Sequence, residues 1–242
     1  VNERPLAIQR VQPAYQQVAE QLMTLILEGE MKVGDRLPVE AEFASMFGVS
    51  RSTMREALRI LSSRNLVVTT RGVGGGSFVA EPDPDHVAGY LEASFGLLSS
   101  SDAITVEDLL EVRESLEVPA AKLAAERRTD EHLAELRSCL IGNRDGYRIG
   151  HRFEGNARFH TTVLEASGNL LLSVVARPVF SLLRTRFLRD QAPEQFWKHV
   201  AHDHQEILRF LELGDAESAG DAMQEHLGNL KSTYRDIDSK EE

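Results

Sequence analysis

The 242-residue chain has a single cysteine, Cys139, so no internal disulfide framework holds it together. It also lacks a long apolar run. The longest, near Leu170 to Ala176, is broken by Ser173 and ended by Arg177-Pro178, far too short to span a bilayer. The polar start Val1-Asn2-Glu3-Arg4 has no apolar signal core. There is no internal repeat, no low-complexity tract, and neither a His-Glu-x-x-His nor a Gly-x-Ser-x-Gly motif. These absences exclude a disulfide-stapled scaffold and argue against a membrane partner and against the hydrolases that those motifs mark. The expectation is a soluble, cytoplasmic protein.

The net charge of −11 is unevenly spread. Residues 1–80 hold nine Lys and Arg against eight Asp and Glu, a net of +1, and the remainder holds 18 against 30, a net of −12. An acidic body repels a phosphate backbone, so contact with nucleic acid would rest on the first part. The same acidity also serves as a soluble surface. The length suits two domains or one large one.

Within residues 37–79 the pattern changes character several times. Val39 to Phe47 places Phe43, Ala44 and Phe47 on one face at helical spacing. Gly48 suits a helix C-cap, because glycine takes the left-handed conformation without steric cost. Val49 can pack between two helices. Ser50 is a good N-cap and leaves Arg51 at the first position of the next helix. That helix would bury Met54, Ala57, Leu58 and Leu61, and turn Arg51, Ser52, Thr53, Arg55 and Arg59 outward or to the flank. Leu66-Val67-Val68-Thr69-Thr70 and Ser77-Phe78-Val79 read as strands joined by Arg71-Gly72-Val73-Gly74-Gly75-Gly76. A phosphate cradle would need a helix after that loop. A strand and then Glu81-Pro82-Asp83-Pro84 follow instead, so a hairpin carrying Arg71 fits better. The whole is a winged helix-turn-helix. Such a recognition helix reaches base edges with its N-terminal residues. Arginine there can grip guanine with two hydrogen bonds, and hydroxyls can hold phosphates beside the positive helix end.

The chain after a linker at residues 81–85 reads as nearly continuous helix. Apolar positions of helical period run through Val87–Leu98, Val106–Arg127, Asp130–Asn143, Phe153–Ser167, Leu170–Leu188, Phe196–Leu213 and Ala216–Ile237. The fold class is therefore mainly α: a winged helix-turn-helix at residues 1–80 and an all-α bundle of six or seven helices at 86–238. Such a core is large enough to host a cavity. Asn156 and His160 share a helix face at i and i+4, and His204 and His226 lie on two later helices. Three imidazoles on three helices can converge on a metal, although spacing alone does not choose among the eight histidines. His202 points to another side of its helix from His204, and His86, His132, His151 and His199 read as solvated. Arg113 suits a carboxylate partner, either a ligand or Glu117 at i+4. Trp197 and Tyr90 fit core, interface or pocket equally well.

The first segment closely resembles the GntR family of bacterial transcription regulators. The resemblance rests on Leu37-Pro38-x-Glu40-x-Glu42-Phe43-Ala44, Val49-Ser50-Arg51-x-x-Met54-Arg55-Glu56-Ala57-Leu58, Asn65-Leu66 and the glycine-rich wing. It implies that Ser50, Arg51, Ser52, Thr53 and Arg55 contact double-stranded DNA, with Arg71-Gly72 at the wing tip. Three positions depart from the pattern. Val39 stands for a serine cap, Ala41 for an arginine used on DNA, and Asn65 for a glycine. Residues Leu109 to Leu230 are similar to the FCD effector domain of the FadR subfamily, through Arg113-x-x-x-Glu117, Phe159-His160, Ser167-Gly168-Asn169 and Gly214-Asp215 to His226-Leu227.

That second likeness implies a metal-binding type, with Asn156, His160, His204 and His226 as ligands. Asparagine for the commoner aspartate leaves the site one negative charge short and favours an anionic co-ligand. The cofactor expected is a divalent ion, zinc first and nickel second. The implied function is a dimeric regulator, a repressor in the main reading, that binds an inverted-repeat operator and responds to a small organic acid, with Arg113 as a candidate for its carboxylate. Two alternatives stay open: a metal-dependent enzyme fused to a DNA-binding head, and a metal-free sensor of a larger apolar ligand.

Overall fold

The structure is a computed structural model that describes residues 12–100, 103–141, 149–183 and 193–238. The chain divides into two compact units between Asp83 and Pro84. Among the described residues no helix is long and apolar enough to cross a membrane.

The first unit contains α1 (Ala14–Leu27), α2 (Glu40–Met46), α3 (Arg51–Ser63), β1 (Val67–Thr70) and β2 (Gly76–Val79). Its core joins Val18, Ala19 and Leu22 of α1 to Phe43 and Ala44 of α2 and to Met54, Ala57, Leu58 and Leu61 of α3. The apolar face expected of α3 is the one buried. Gly48 has φ +63° and turns the chain between α2 and α3. Asn65, at φ +57°, holds the left-handed turn after α3, which asparagine tolerates better than most side chains. The strands pair antiparallel with Val67 opposite Val79 and Thr70 opposite Gly76. The hairpin has a further neighbour, which no local pattern marks. Arg36 bridges to Phe78, and the Leu37 amide donates to the Ser77 carbonyl at 2.8 Å, so the segment before α2 edges the sheet. Helix α1 is not among the expected elements, although Val18, Ala19 and Leu22 carry its helical spacing.

The second unit consists of α4 (Pro84–Ser100), α5 (Val106–Arg127), α6 (Asp130–Ile141), α7 (Ile149–Ala166), α8 (Leu170–Leu182), α9 (Glu194–Leu213) and α10 (Ala216–Asp238). Helix α4 starts inside the expected linker, and α7 starts four residues before the expected Phe153. The ends expected at Asn143 and Leu188 lie outside the described residues. Helix α5 sits against α7, α8, α9 and α10, and buries Leu109, Leu110, Ala120, Ala121 and Ala124 along one stripe. A capping box starts it: the Asp108 amide donates to Thr105 Oγ1, and the Thr105 amide donates to the Asp108 carboxylate. Its far end fastens two neighbours, because Arg127 donates to the Ser167 carbonyl after α7 and Arg128 to the Leu211 carbonyl of α9. These two helices carry the residues described next.

Candidate metal centre and nucleic-acid interface

Two residues of the α5 stripe are charged. Arg113 and Glu117, one turn apart, are 1 % and 2 % exposed and lie among alanines and leucines. Buried charges persist only when paired, and Arg113 Nε donates to Glu117 Oε1 at 2.6 Å. The i,i+4 pairing weighed for Arg113 is thus formed. Glu117 Oε2 lies 2.6 Å from His160 Nδ1. Burial pushes the Glu117 carboxyl up, but Arg113 and His160 outweigh it and hold it down at about 2. The buried Tyr234 also interacts with the Arg113 guanidinium, whose Nη1 makes no well-aligned hydrogen bond among the described residues.

His160 of α7, His204 of α9 and His226 of α10 meet in the core. The Nε2 of His160 lies 3.3 Å from the Nε2 of His204 and 3.3 Å from that of His226. That spacing is the chord of two metal–nitrogen bonds of about 2.0–2.1 Å meeting near the tetrahedral angle. Burial lowers the affinity of all three for protons. His160 is brought down to about 4 despite Glu117, His204 goes well below its ordinary value, and His226 goes down despite Asp203. Neutral imidazole is the metal-binding form. Asn156, one turn before His160, is also buried, and its Oδ1 has no partner. Three convergent neutral nitrogens, with an orphaned buried oxygen one helical turn from His160, fit a divalent ion. Phe159 stacks on His204 with ring centres 4.0 Å apart, and Phe180 lies over His160 at 5.6 Å, so apolar rings wall the cluster.

The other histidines separate from this set. His86, His199 and His202 are exposed. His132 is half-buried, and its Nδ1 accepts from the Thr129 amide at the start of α6, so it is a helix-end residue and more than a solvated one. The side chain of His151 lies outside the described residues. Trp197 is buried and Tyr90 is exposed. Sequence reasoning missed Asp203. Its Oδ2 lies 3.1 Å from His226 Nδ1, and its position next to His204 would have been the signal.

In the first unit Ser50 caps α3 by accepting from the Thr53 amide at 3.1 Å, and its hydroxyl also meets those of Ser52 and Thr53 at 2.8 Å each. Val39 gives α2 no side-chain cap. Arg51 is exposed at the first position of α3. Arg55 is exposed too, but its guanidinium is held by Glu40 of α2, with Nη2 2.7 Å and Nε 3.0 Å from Oε2. Glu40 was not among the expected site residues. Arg71 and Gly72 lie in the turn between β1 and β2, where Gly72 has φ +105° and Gly74 has φ +88°. A strand follows the loop, as the hairpin reading requires.

Residues 14–79 match the bacterial regulatory proteins of the gntR family, and residues 108–229 match the FCD domain. The HTH-type transcriptional regulator LutR of Bacillus subtilis (strain 168) is 32 % identical over 216 residues, which cover 86 % of this chain and 94 % of that protein. The Uxu operon transcriptional regulator of Escherichia coli (strain K12) is 31 % identical over 232 residues, covering 91 % of this chain and 86 % of that one. The Glc operon transcriptional activator of the same organism is 28 % identical over 241 residues, covering 93 % and 91 %. A solved structure of Streptococcus agalactiae GntR superposes with a TM-score of 0.60 at 28 % identity, over 90 % of this chain and 99 % of that one.

Proposed function

The chain belongs to the GntR family of bacterial regulatory proteins and carries an FCD domain, and from that premise we propose a repressor that is relieved by a small organic acid bound at a metal in its second unit. It is a DNA-binding transcription regulator and not an enzyme, in line with its relatives. The observation that carries the finer reading is the buried His160–His204–His226 cluster. Zinc is the ion preferred, with nickel second, because imidazole nitrogens suit both. Asn156 would add a weaker oxygen ligand. Bound there, the ion would offer open coordination positions to an anionic group.

The residues around it support an acidic effector of the FadR-subfamily type. The protein ligands are neutral. Glu117 is neutralised by Arg113, and Asp203 beside His226 is then a single carboxylate, among the described residues, set against a divalent charge. An added carboxylate completes the balance. Arg113, whose guanidinium also meets the Tyr234 hydroxyl, would supply the donor for it. To control the head, the effector must bind two arrangements of the protein with different free energies.

A second copy of the chain would complete a two-fold reader of an inverted repeat with half-sites about one DNA turn apart. Val87, Tyr90, Leu97 and Leu98 of α4, with Leu170, Leu171 and Val175 of the adjoining α8, are exposed and support that dimer. Exposed apolar side chains on two adjoining helices are the kind of surface that marks association sites.

The test uses full-length protein, a duplex selected from a randomised pool and a panel of small hydroxy and dicarboxylic acids. Stoichiometric metal by elemental analysis, a dimer by light scattering, and duplex release by one acid only in metal-loaded protein are the expected results. Metal-free protein that still responds to the acid would remove the metal from the sensing, and no response to any acid in metal-free protein as purified would favour a sensor of a larger apolar ligand. A strict monomer bound to one half-site would overturn the two-fold reading, and tighter duplex binding with the acid would reverse the sign of regulation.

A further inference from the structure

Arg51 and Arg55 lie one turn apart on the same helix, yet the structure treats them differently. Arg51 is exposed and makes no ion pair among the described residues. Arg55 is fastened to Glu40, the first residue of α2, through Nε at 3.2 and 3.0 Å and Nη2 at 2.7 Å. The partners remain 56 % and 40 % exposed, so the pair adds little to folding. Its consequence lies in orientation.

A guanidinium has five donors in a fixed plane. Glu40 occupies the side of that plane formed by Nε and Nη2. Left over are both hydrogens of Nη1 and the second hydrogen of Nη2, and one from each nitrogen forms the end-on fork. That fork remains free to pair with O6 and N7 of guanine. Glu40 also places a negative charge beside the recognition helix, where it opposes phosphate oxygens. A phosphate approaching the free fork is opposed by the Glu40 carboxylate, whereas a neutral base edge is offered donors already aimed.

We propose that Glu40 is a specificity-determining positioning residue, which commits Arg55 to reading a base and withholds it from the phosphate backbone. The proposal rests on the DNA contact assigned to Arg55. Holding one long side chain in place before binding spares its ordering cost, about threefold to tenfold in affinity. Losing the carboxylate also frees a cation for the backbone, which strengthens sequence-independent binding and steepens its dependence on salt. Specific and non-specific binding therefore move in opposite directions when Glu40 is removed. The usual arginine after Glu40 is Ala41 here, so α2 has no second cation at that position to blur the effect.

The experiment compares full-length wild type, Glu40→Gln, Glu40→Ala, Arg55→Ala and the double variant Glu40→Ala/Arg55→Ala. The probes are a duplex selected by wild-type protein from a randomised pool, its single-base-pair variants, and an unrelated duplex of equal length. Fluorescence anisotropy gives dissociation constants at several salt concentrations, and thermal melting verifies folding. Glu40→Ala is expected to lower the ratio of specific to non-specific affinity about threefold to tenfold. The loss should fall on the base pair that Arg55→Ala also ceases to discriminate. Glu40→Gln, which keeps one acceptor, should fall between. In the Arg55→Ala background, removing Glu40 should change nothing further in discrimination. An unchanged ratio in Glu40→Ala, or an equal loss in the absence of Arg55, overturns the proposal. If Arg55→Ala itself binds every duplex as wild type does, the DNA contact fails and the proposal fails with it.

Discussion

The Asp203 carboxylate lies 3.1 Å from Nδ1 of His226, on the side of the ring away from the histidine cluster, where Nε2 meets His160 Nε2. A carboxylate in that position keeps the proton on Nδ1 and leaves the Nε2 lone pair turned inward. Asn229 donates to the same oxygen at 3.2 Å and fixes the carboxylate in turn. Asp203→Ala should therefore lower metal affinity about 10- to 100-fold. Asp203→Asn keeps an acceptor and should lose less. Competition against a chelating dye reads both, and equal affinity in all three proteins would remove Asp203 from the site.

Replacing His160, His204 or His226 by alanine should abolish stoichiometric metal, as elemental analysis would show. The melting temperature supplies a second readout. Ion bound only to the folded state adds about 2.7 kcal/mol at a free concentration a hundred times its dissociation constant. A chelator should lower the wild-type midpoint and leave the three variants where they are. Affinity for the selected duplex without effector should survive in each, since the residues expected to contact DNA belong to the other unit. Full metal content in all three would leave these side chains as ordinary core histidines.

The parts of the fold that the sequence exposes are those set by local chemistry. Gly48, Ser50 and Asn65 punctuate the helix-turn-helix by backbone preference, and Met54, Ala57, Leu58 and Leu61 mark a buried face by period alone. The histidines were legible through their resemblance to a known pattern, because spacing along a chain does not say which helix faces meet. Glu40, Arg36 and Asp203 escaped for that reason. Their partners, Arg55, Gly75 and His226, lie on other elements, and an exposed or half-buried charge carries no periodic signal of its own.

The Arg113–Glu117 pair offers a stability test. Arg113→Met strands Glu117 in an apolar stripe without its cation, and breaking a buried pair in this way costs about 3–5 kcal/mol. Replacing both by methionine removes the stranded charge as well as its partner, and should recover much of that loss. Urea unfolding of the metal-free proteins measures it. A double variant as unstable as Arg113→Met would mean that the loss comes from packing and not from the uncompensated carboxylate.

Arg51 heads α3 beside the linked hydroxyls of Ser50, Ser52 and Thr53. The positive helix end and those hydroxyls favour a phosphate there, while the arginine can reach a base edge. Arg51→Ala should cost about 1–3 kcal/mol on the selected duplex and loosen discrimination at one base pair. Anisotropy at fixed salt measures both. Wild-type affinity and specificity would mean that this helix does not dock by its N-terminus.

The wing can be tested through a glycine that has no room for a side chain. A Cβ on Gly75 would lie 2.6 Å from the Thr70 carbonyl oxygen and 2.9 Å from that of Gly72, both backbone atoms that cannot swing aside. The Gly75 amide donates to the Gly72 carbonyl at 2.9 Å and closes the turn, and Arg36 Nη2 donates to the Gly75 carbonyl at 2.7 Å. Gly75→Ala must therefore open the turn that presents Arg71 and Gly72, at a strain of about 1–3 kcal/mol. The core beneath it, with Leu37, Val67 and Val79, does not include the turn and should persist. Gly29 makes a matched comparison. Its φ of +79° also strains an alanine, but nothing lies within 4 Å of the added carbon, and it sits beyond the end of α1, away from the wing turn. Both variants should lose a few degrees in thermal melting, whereas affinity for the selected duplex should fall in Gly75→Ala and hold in Gly29→Ala. Unchanged affinity in a folded Gly75→Ala protein would show that the wing tip contributes nothing to DNA binding.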